Sequence, residues 1–384
     1  MIHHCYDTVP YYTKLFNDGG INPDSIKTLD DLKVLPILSK QIVNANPESF
    51  LSSAIPRNKM VTAHTSGTTG SGFVFKTTQE AICEQWAVWW RYRRALGIEY
   101  GTLCGQFGGR SVVSITQCKP PFYRWNSPCD IMYFSVYHMS EQNISAYVTD
   151  LQGQKIRWIH GYPSSINVLA EYLMSQNLQL NADYVTTGAE SLLESQKAHI
   201  LAAFGKKAYQ HYGMSEAVAN FSETKDGKMI VDEDFAVTEF IPSGKTESCD
   251  IIGTCLSNYA MPFLRYRTND MAIVSLTPEG RVVTALDGRI EDCILLPNGA
   301  KIGRLDHIFK DLTHIREAQI VQKSTDNIQV NVVRGNKYGD ADENKLLHEL
   351  EERLTGIVID IRYVDALKRT ESGKLRFVIS EIGK

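Results

Sequence analysis

Strand-like runs alternate with helical segments between residues 156 and 211, and this alternation constrains the fold more than any other feature. Apolar, β-rich runs occupy 156–159 and 184–187, and helices are predicted over 163–176 and from about 192 to the glycine at 205. A proline opens the first helix and a glycine closes the second, as helix ends prefer. Strand, turn and helix repeated in this order predict an α/β layer architecture.

The flanking segments extend this prediction. Upstream, 79–96 carries tryptophans at helical spacing, and Ser140 is predicted to cap a helix that runs to about 151. Downstream, strands are predicted at 235–241 and 251–256, on either side of a polar loop. These shorter strands and turns indicate a smaller β subdomain attached to the α/β layers.

Beyond residue 292 the pattern is that of a compact α+β unit. Its predicted elements are strands at 315–323, 327–333 and 358–364 and a helix over 341–354. A chain of 384 residues suits two domains. We therefore expect a large multi-layer α/β N-terminal domain with a β subdomain over 1–290, and a small, mobile α+β lid domain over 291–384.

The charge balance and the cysteine spacing limit the classes of binding partner and the cellular compartment that we expect. Lys plus Arg number 40 and Asp plus Glu 44, without a long basic run, so nucleic acid and membrane surfaces are disfavoured. The eight cysteines form no C-x-x-C pair, and the start of the chain lacks the pattern of a signal peptide. We expect a cytoplasmic protein with reduced thiols. His3, His4 and Cys5 are a weak metal-site candidate, and an ordinary terminus explains them equally well.

The segment from Thr65 to Gly72 is rich in hydroxyl side chains and glycines. Such a loop can wrap a polyphosphate with its backbone N–H groups, although a plain turn has the same composition. It is not a Walker A loop, because Phe73 stands where that motif requires Lys. A phosphate loop and a plain turn are both consistent with this segment alone.

A carboxylate follows the strand predicted at 207–211. Glu216 would lie just past the strand end, where α/β folds place ligand sites, and a carboxylate there can hold Mg²⁺ on a triphosphate. A solvated surface acid is the alternative. Ala217 stands where a nucleophile elbow needs its second glycine, so a serine hydrolase is disfavoured.

Taken in order, these motifs resemble those of the adenylate-forming superfamily, which includes acyl-CoA synthetases, adenylation domains and luciferases. The similarity is greatest to its phenylacetate-CoA ligase-like branch, including the CapK-type proteins of capsular polysaccharide biosynthesis. The resemblance rests on Thr65 to Gly70, Gly161 to Ser164, Gly188-Ala189-Glu190, Tyr212 to Glu216, Arg265 to Asp270, Gly288 to Asp292 and Gly373-Lys374. It covers nearly the whole chain, which makes it far more specific than any single motif.

The resemblance implies a ligase that uses ATP and Mg²⁺ to join a small carboxylic acid to AMP. The implied nucleotide-binding residues are Thr65, Ser66, Gly67, Thr68, Thr69, Gly70, Gly188, Ala189, Glu190, Tyr212, Gly213, Asp270 and Arg289. Glu216 would hold Mg²⁺, and Lys374 would bridge the substrate carboxylate and the α-phosphate as a catalytic residue. The implied substrate-binding residues are Tyr162, Ser164, His211 and Arg110.

Two positions depart from the family pattern. The phosphate loop lacks its usual Pro and Lys, for which Lys76 is the nearest substitute. Asn269 replaces the glycine that usually precedes the ribose-binding Asp270, and Asn tolerates the left-handed backbone that such a turn needs.

The resemblance leaves the second step open. Coenzyme A is the commonest acyl acceptor in the family, so a thiol is expected. The alternatives are an amine or a sugar in surface polysaccharide biosynthesis, and a non-catalytic nucleotide-binding homologue. The oligomeric state, with a homodimer among the options, is also left open.

Overall fold

The structure is a computed structural model of the 384-residue chain. It describes all residues except 66–72, 191, 243–246, 279, 288–293, 303–304, 310–311, 313, 336, 369–375 and 383–384. None of the described helices is long and apolar enough to cross a membrane.

The helices are α1 (Ile2–Thr8), α2 (Pro10–Asp18), α3 (Lys40–Ala45), α4 (Gln79–Leu96), α5 (Ile144–Gly153), α6 (Pro163–Ser175), α7 (Glu194–Phe204) and α8 (Asp340–Glu351). The strands of the first 300 residues are β1 (Met60–Thr65), β2 (Phe73–Thr78), β3 (Cys104–Gly108), β4 (Tyr123–Asn126), β5 (Ile131–Ser135), β6 (Trp158–Gly161), β7 (Tyr184–Gly188), β8 (Ala208–Gly213), β9 (Asn220–Glu223), β10 (Met229–Val231), β11 (Ala236–Pro242), β12 (Cys249–Cys255), β13 (Tyr266–Thr277), β14 (Gly280–Asp287) and β15 (Ile294–Leu295). They are followed by β16 (Lys301–Ile302), β17 (Ile315–Ser324), β18 (Asn327–Arg334), β19 (Val358–Tyr363) and β20 (Val378–Ser380).

The chain divides into two compact units. Unit 1 comprises Met1–Thr65, Phe73–Gly97 and His211–Gly288, and unit 2 comprises Ser66–Gly72, Ile98–Gln210 and Arg289–Lys384. The predicted boundary at 290/291 is close to one of these crossings, but the units are not contiguous stretches of chain. The assignment of 1–290 and 291–384 as two domains therefore stays a prediction.

Unit 1 is built on antiparallel strands. Its sheet runs in the order β11, β12, β13, β14, β10, β9, β8, and β1 pairs with β2 as a separate hairpin. Aromatic side chains fill its core, where the ring centroids of Phe73, Phe263 and Tyr266 lie 5.2 to 6.1 Å from each other. This is the predicted β-rich region.

Unit 2 contains the predicted α/β layers. Strands β5, β3, β6 and β7 are parallel neighbours, with β4 antiparallel at the edge. Helices α6 and α7 pack against each other, and their apolar residues join the core under this sheet. A second sheet in the order β19, β18, β17, β20 carries α8, as predicted for the α+β unit.

The predicted fold class is confirmed, and most predicted elements are present. Two local predictions are wrong. The helix predicted from Ser140 begins at Ile144, because residues 141–143 form turns and Ser140 accepts the Ile144 amide through its backbone carbonyl instead of capping with its side chain. The strand predicted at 156–159 runs instead over Trp158–Gly161, where it pairs with β3.

Candidate functional site

The end of β8 presents side chains on two opposite faces, because successive residues of a strand alternate. Tyr212 lies on one face and stacks on Phe221 of β9, with ring centroids 4.7 Å apart. His211 and Gly213 lie on the other face. We call these the tyrosine face and the histidine face of β8, and both belong to unit 1.

On the tyrosine face, Tyr212 is joined to Asp270. The Tyr212 hydroxyl donates to Asp270 Oδ2 at 2.8 Å. Burial raises the pKa of Tyr212 well above its usual value, and the Asp270 carboxylate raises this pKa further. The phenol therefore stays protonated and acts as a donor that orients the carboxylate.

The turn before Asp270 has the predicted backbone. Asn269 adopts φ 65°, so the prediction that Asn replaces Gly there in a left-handed conformation is confirmed. The Asp270 amide then donates to the Thr268 hydroxyl oxygen at 3.1 Å. The position of Asp270 is therefore set from both its backbone and its side chain.

Glu216 is the most buried acid of this face, with 5% of its surface exposed. Burial raises the pKa of Glu216, whereas hydrogen bonds to it and the nearby Lys40 charge pull that pKa back down. One of these bonds comes from the Thr65 hydroxyl, 3.3 Å from Glu216 Oε1. Thr65 ends β1 opposite Phe73, so the residue that opens the predicted phosphate loop contacts the predicted Mg²⁺ ligand.

Lys40 was not singled out by the sequence analysis. It is 8% exposed, and its ammonium lies 5.7 Å from the centre of the Phe73 ring. The preceding residues fix it there, because Leu38 exchanges backbone hydrogen bonds with Arg265 and Arg267 at the start of β13. Lys76, by contrast, donates to Thr62 at 2.7 Å across the β1–β2 hairpin. Lys40, rather than Lys76, is the lysine whose charge acts on Glu216.

The residues around Glu216 suit Mg²⁺. That ion keeps several waters and takes one or two protein carboxylates together with substrate phosphates, so a single buried carboxylate beside a hydroxyl is a sufficient protein contribution. Among the described residues, no group of three or more His, Cys, Asp and Glu side chains is arranged to hold a metal. At the chain start, the His3 ring instead pairs with Asp24, and Cys5 is fully buried.

The histidine face is built of aromatic rings and amides. The His211 ring lies against Trp89 and Tyr92 of α4, with centroids 5.6 and 5.4 Å apart. Its Nε2 atom is 2.9 Å from Asn220 Oδ1. The pKa of His211 is lowered to about 4, chiefly by burial and also by the nearby Arg93 charge, while the hydrogen bond with Asn220 opposes the shift. His211 is therefore neutral at pH 7.

In unit 2, the carboxyl ends of the parallel strands β6 and β7 lie at one edge of the sheet. The residues that follow them meet there, since Ser164 donates from both its backbone amide and its hydroxyl to Glu190, each at 3.0 Å. Ala189 reaches this position with φ 68°, a left-handed conformation that is uncommon outside glycine. This edge is where doubly wound sheets bind ligands.

Gly161 allows the first of these turns. Its neighbour Tyr162 donates from its amide to the Phe107 carbonyl at 2.9 Å, and a Cβ atom at position 161 would lie 2.1 Å from that same oxygen. No larger residue fits. Arg110, which follows β3, lies exposed over the Tyr133 ring at 5.6 Å.

Several predicted site residues lie outside the described residues: Ser66, Gly67, Thr68, Thr69, Gly70, Arg289 and Lys374. Among the others, unit 1 brings together Thr65, Glu216, Tyr212 and Asp270, with His211 and Gly213 on the opposite face of β8. Unit 2 brings together Ser164 and Glu190, with Tyr162, Gly188 and Ala189 adjacent in the chain.

Comparison with known structures agrees with this fold. The structure of 2-hydroxyisobutyryl-CoA ligase in complex with 2-HIB-AMP and CoA aligns with a TM-score of 0.59 at 19% identity, covering 99% of this chain and 87% of that one. The architecture is therefore that of the adenylate-forming ligases.

Sequence comparison gives a narrower assignment. The family model of the CapK C-terminal domain matches residues 294–381. Protein CapK of Staphylococcus aureus is 24% identical over 97% of this chain and 85% of its own length. Phenylacetate-coenzyme A ligase of Aromatoleum evansii is 28% identical over 77% of this chain and 69% of its own length. The predicted resemblance to the CapK and phenylacetate-CoA ligase branch is confirmed.

Proposed function

We propose that this protein is an ATP- and Mg²⁺-dependent ligase that adenylates a carboxylic acid and transfers the acyl group to a thiol, with coenzyme A as the acceptor. Relatives named phenylacetate-coenzyme A ligase support the reaction class. The acid itself is not specified by these relatives, which share less than a third of their residues with this chain.

The first step activates the acid. A carboxylate oxygen of the acid attacks the α-phosphorus of ATP, the bond to the β-phosphate oxygen breaks, and acyl-AMP and pyrophosphate form. Negative charge builds on the phosphate oxygens during this step, so groups that neutralise or hydrogen-bond to them accelerate it. In the second step the thiol attacks the acyl carbon, loses its proton, and AMP leaves.

The buried cluster around Glu216 is the observation that carries this proposal. A carboxylate that is 5% exposed, contacted by the Thr65 hydroxyl and near the charge of Lys40, is unusual on a merely structural surface. Bound Mg²⁺ would neutralise charge on the leaving pyrophosphate. Glu216 would hold that ion, and Lys40 would attract the phosphates to the same place.

The remaining nucleotide contacts are those that the resemblance implies. Asp270, oriented by the Tyr212 hydroxyl, would accept hydrogen bonds from both ribose hydroxyls. Gly188, Ala189 and Glu190 would form the adenine wall together with Tyr212, and Arg289 and the loop 66–70 would contact ribose and phosphates.

The catalytic lysine and the acyl pocket complete the proposal. Lys374 would pair with the acid carboxylate and the α-phosphate, which positions both for attack. Tyr162, Ser164, His211 and Arg110 would contact the acid. Residues 291–384 would act as the lid that carries Lys374.

The test is carboxylate-dependent release of pyrophosphate from ATP and Mg²⁺. Aryl, fatty, hydroxy, amino and uronic acids are screened, each with and without coenzyme A or an amine. Release with at least one acid, lost in Lys374→Ala but kept in the exposed-site control Lys368→Ala, is the expected result.

Each other outcome has a definite meaning. Acceleration by an amine but not by coenzyme A would replace the thiol with an amine as acceptor. ATP binding without pyrophosphate release for any acid would favour a non-catalytic nucleotide-binding protein and overturn the proposal.

A further inference from the structure

Asn220 connects the histidine face to charged groups further along the sheet. Its Oδ1 atom lies 3.1 Å from Trp89 Nε1 and 2.9 Å from His211 Nε2, and its Nδ2 atom lies 2.6 Å from Asp232 Oδ2. Asp232 in turn accepts from Ser222 and from Arg91. The pairing of Gly213 with Asn220 and of His211 with Ser222 places all these side chains on one face of the sheet.

The orientation of the Asn220 amide follows from its two outer partners. An indole N–H only donates, so the atom that faces Trp89 must be the amide oxygen. The Asp232 carboxylate, which forms an ion pair with Arg91, only accepts, so the atom that faces it must be the amide nitrogen. The Asn220 amide oxygen is therefore also the atom that faces His211. Because this oxygen can only accept a hydrogen bond, Nε2 of His211 must carry a proton.

The surroundings keep His211 neutral, so it carries only that one proton. The ring is enclosed by Trp89 and Tyr92, and the cationic Arg93 is close enough to disfavour a second positive charge. The other ring nitrogen, Nδ1, is then an acceptor. Among the described residues nothing donates a hydrogen bond to it, although part of the His211 side chain is accessible to solvent.

We infer that the Asn220 amide fixes His211 in its Nε2–H tautomer, and that Nδ1 accepts a hydrogen bond from the acyl group of the substrate. The acid therefore carries a hydroxyl or amino group, and His211 determines specificity without taking part in the chemistry. This inference rests on the proposed adenylating function, because it places the acid beside His211.

The tautomer is tested by ¹⁵N NMR of the full-length protein labelled at histidine, with His211→Gln to assign the signals. We expect a protonated Nε2 and an unprotonated Nδ1 at pH 7. A protonated Nδ1 would overturn the inference, whatever the enzyme does. In Asn220→Leu the ring loses its fixed partner, and both tautomers should then appear.

Specificity is tested with pairs of acids that differ only in the donor. The pairs are 3-hydroxybutyrate with butyrate, 2-aminobutyrate with butyrate, and 3-hydroxyphenylacetate with phenylacetate. In the wild type, kcat/KM for pyrophosphate release should favour the donor-bearing acid of at least one pair by about 10-fold, the effect of one hydrogen bond. His211→Phe should abolish that preference, so that the ratio of kcat/KM for the two acids of the pair falls to about 1.

Two further outcomes separate this inference from the proposed function. His211→Phe keeps the Trp89 bond to Asn220, and His211→Gln supplies both a donor and an acceptor, so Gln should restore part of the preference. If acids are adenylated but His211→Phe shows the same preference as the wild type, the inference about His211 is wrong and the proposed function is retained. The same conclusion holds if the wild type favours donor-free acids. If no acid in the panel is adenylated, both fall.

Discussion

The two faces of β8 provide opposite electrostatic environments, although their residues are adjacent in the chain. The tyrosine face holds the buried carboxylate of Glu216, near the cationic Lys40, and the half-buried carboxylate of Asp270, whereas the histidine face holds a neutral imidazole among rings and amides. A charged cluster is suited to a charged ligand, and a neutral one is suited to discriminating hydrogen-bond donors from acceptors. Under the proposed function, strand alternation alone would let one short segment contact a nucleotide with one face and an acyl group with the other.

The largest expected difference between the two faces comes from removing the charge of Glu216. Glu216→Gln keeps the shape and the Thr65 contact but removes the proposed Mg²⁺ ligand, so we expect pyrophosphate release to fall about 100- to 1000-fold. The unfolding temperature should change little. The exposed acid Glu141 supplies the matched control, and Glu141→Gln should be as active as the wild type. Undiminished activity of Glu216→Gln would remove this residue from the site.

We expect the histidine face to be destabilised by a steric clash rather than by the loss of a charge. A Cβ atom at Gly213 would lie 2.9 Å from both Asn220 Oδ1 and His211 Cε1, so Gly213→Ala must displace one of them. We expect a loss of about 1 to 3 kcal/mol in the free energy of unfolding, measured with urea.

Gly153→Ala is the control for that substitution, because the added methyl group meets nothing within 4 Å. Its stability should not fall, and a gain of up to about 1 kcal/mol is expected because Ala is favoured over Gly in a helix. Equal stability of the two variants would show that the histidine face can rearrange at no cost, contrary to the tautomer argument.

The two faces should also differ in how pH affects them. His211 has a pKa of about 4 in the fold against 6.5 when exposed, so the unfolded state binds more protons between these values. The stability that this group contributes is complete above about pH 6.5 and is lost as pH falls towards 4. From pH 7 to pH 5 the loss amounts to about 2 kcal/mol.

This contribution is measured by urea unfolding at pH 7 and pH 5 for the wild type and His211→Gln. The variant should lose about 2 kcal/mol less than the wild type over that interval. An identical loss in both proteins would mean that His211 is protonated in the fold at pH 5.

The smallest expected effect lies on the tyrosine face. Tyr212→Phe removes the hydroxyl that orients Asp270 but keeps the stack on Phe221, so we expect about a fivefold loss in ATP affinity by calorimetry, near the net value of one hydrogen bond. Tyr11, whose hydroxyl has no hydrogen bond among the described residues, provides the control Tyr11→Phe. A similar loss of ATP affinity in Tyr11→Phe would show that the effect is not specific to the hydrogen bond between Tyr212 and Asp270.

Local patterns in the sequence predicted much of this arrangement. The strand at 208–213 and the acid just beyond it follow from alternation and from the usual location of sites in α/β folds, and the left-handed Asn269 follows from the conformational freedom of that residue. These features depend on residues close together in the chain.

Lys40 and Asn220 could not be predicted in the same way. Lys40 reaches Glu216 through pairing of the segment around Leu38 with the start of β13, a contact between distant parts of the chain. Asn220 acquires its role only because β9 pairs with β8 in a register that sets it opposite Gly213. A one-residue slip would turn the Asn220 side chain to the other face.

The close approach of Gly161 to the Phe107 carbonyl bears on how variation at this turn should be interpreted. In a saturation library selected for function, position 161 should retain glycine alone, while the exposed Arg110 tolerates many residues unless the acid contacts it. Invariance at position 161 would therefore report a lack of space between two backbones, whereas invariance at position 110 would report contact with the acid. A ranking of positions by intolerance to substitution alone would therefore place Gly161 ahead of any residue that recognises substrate.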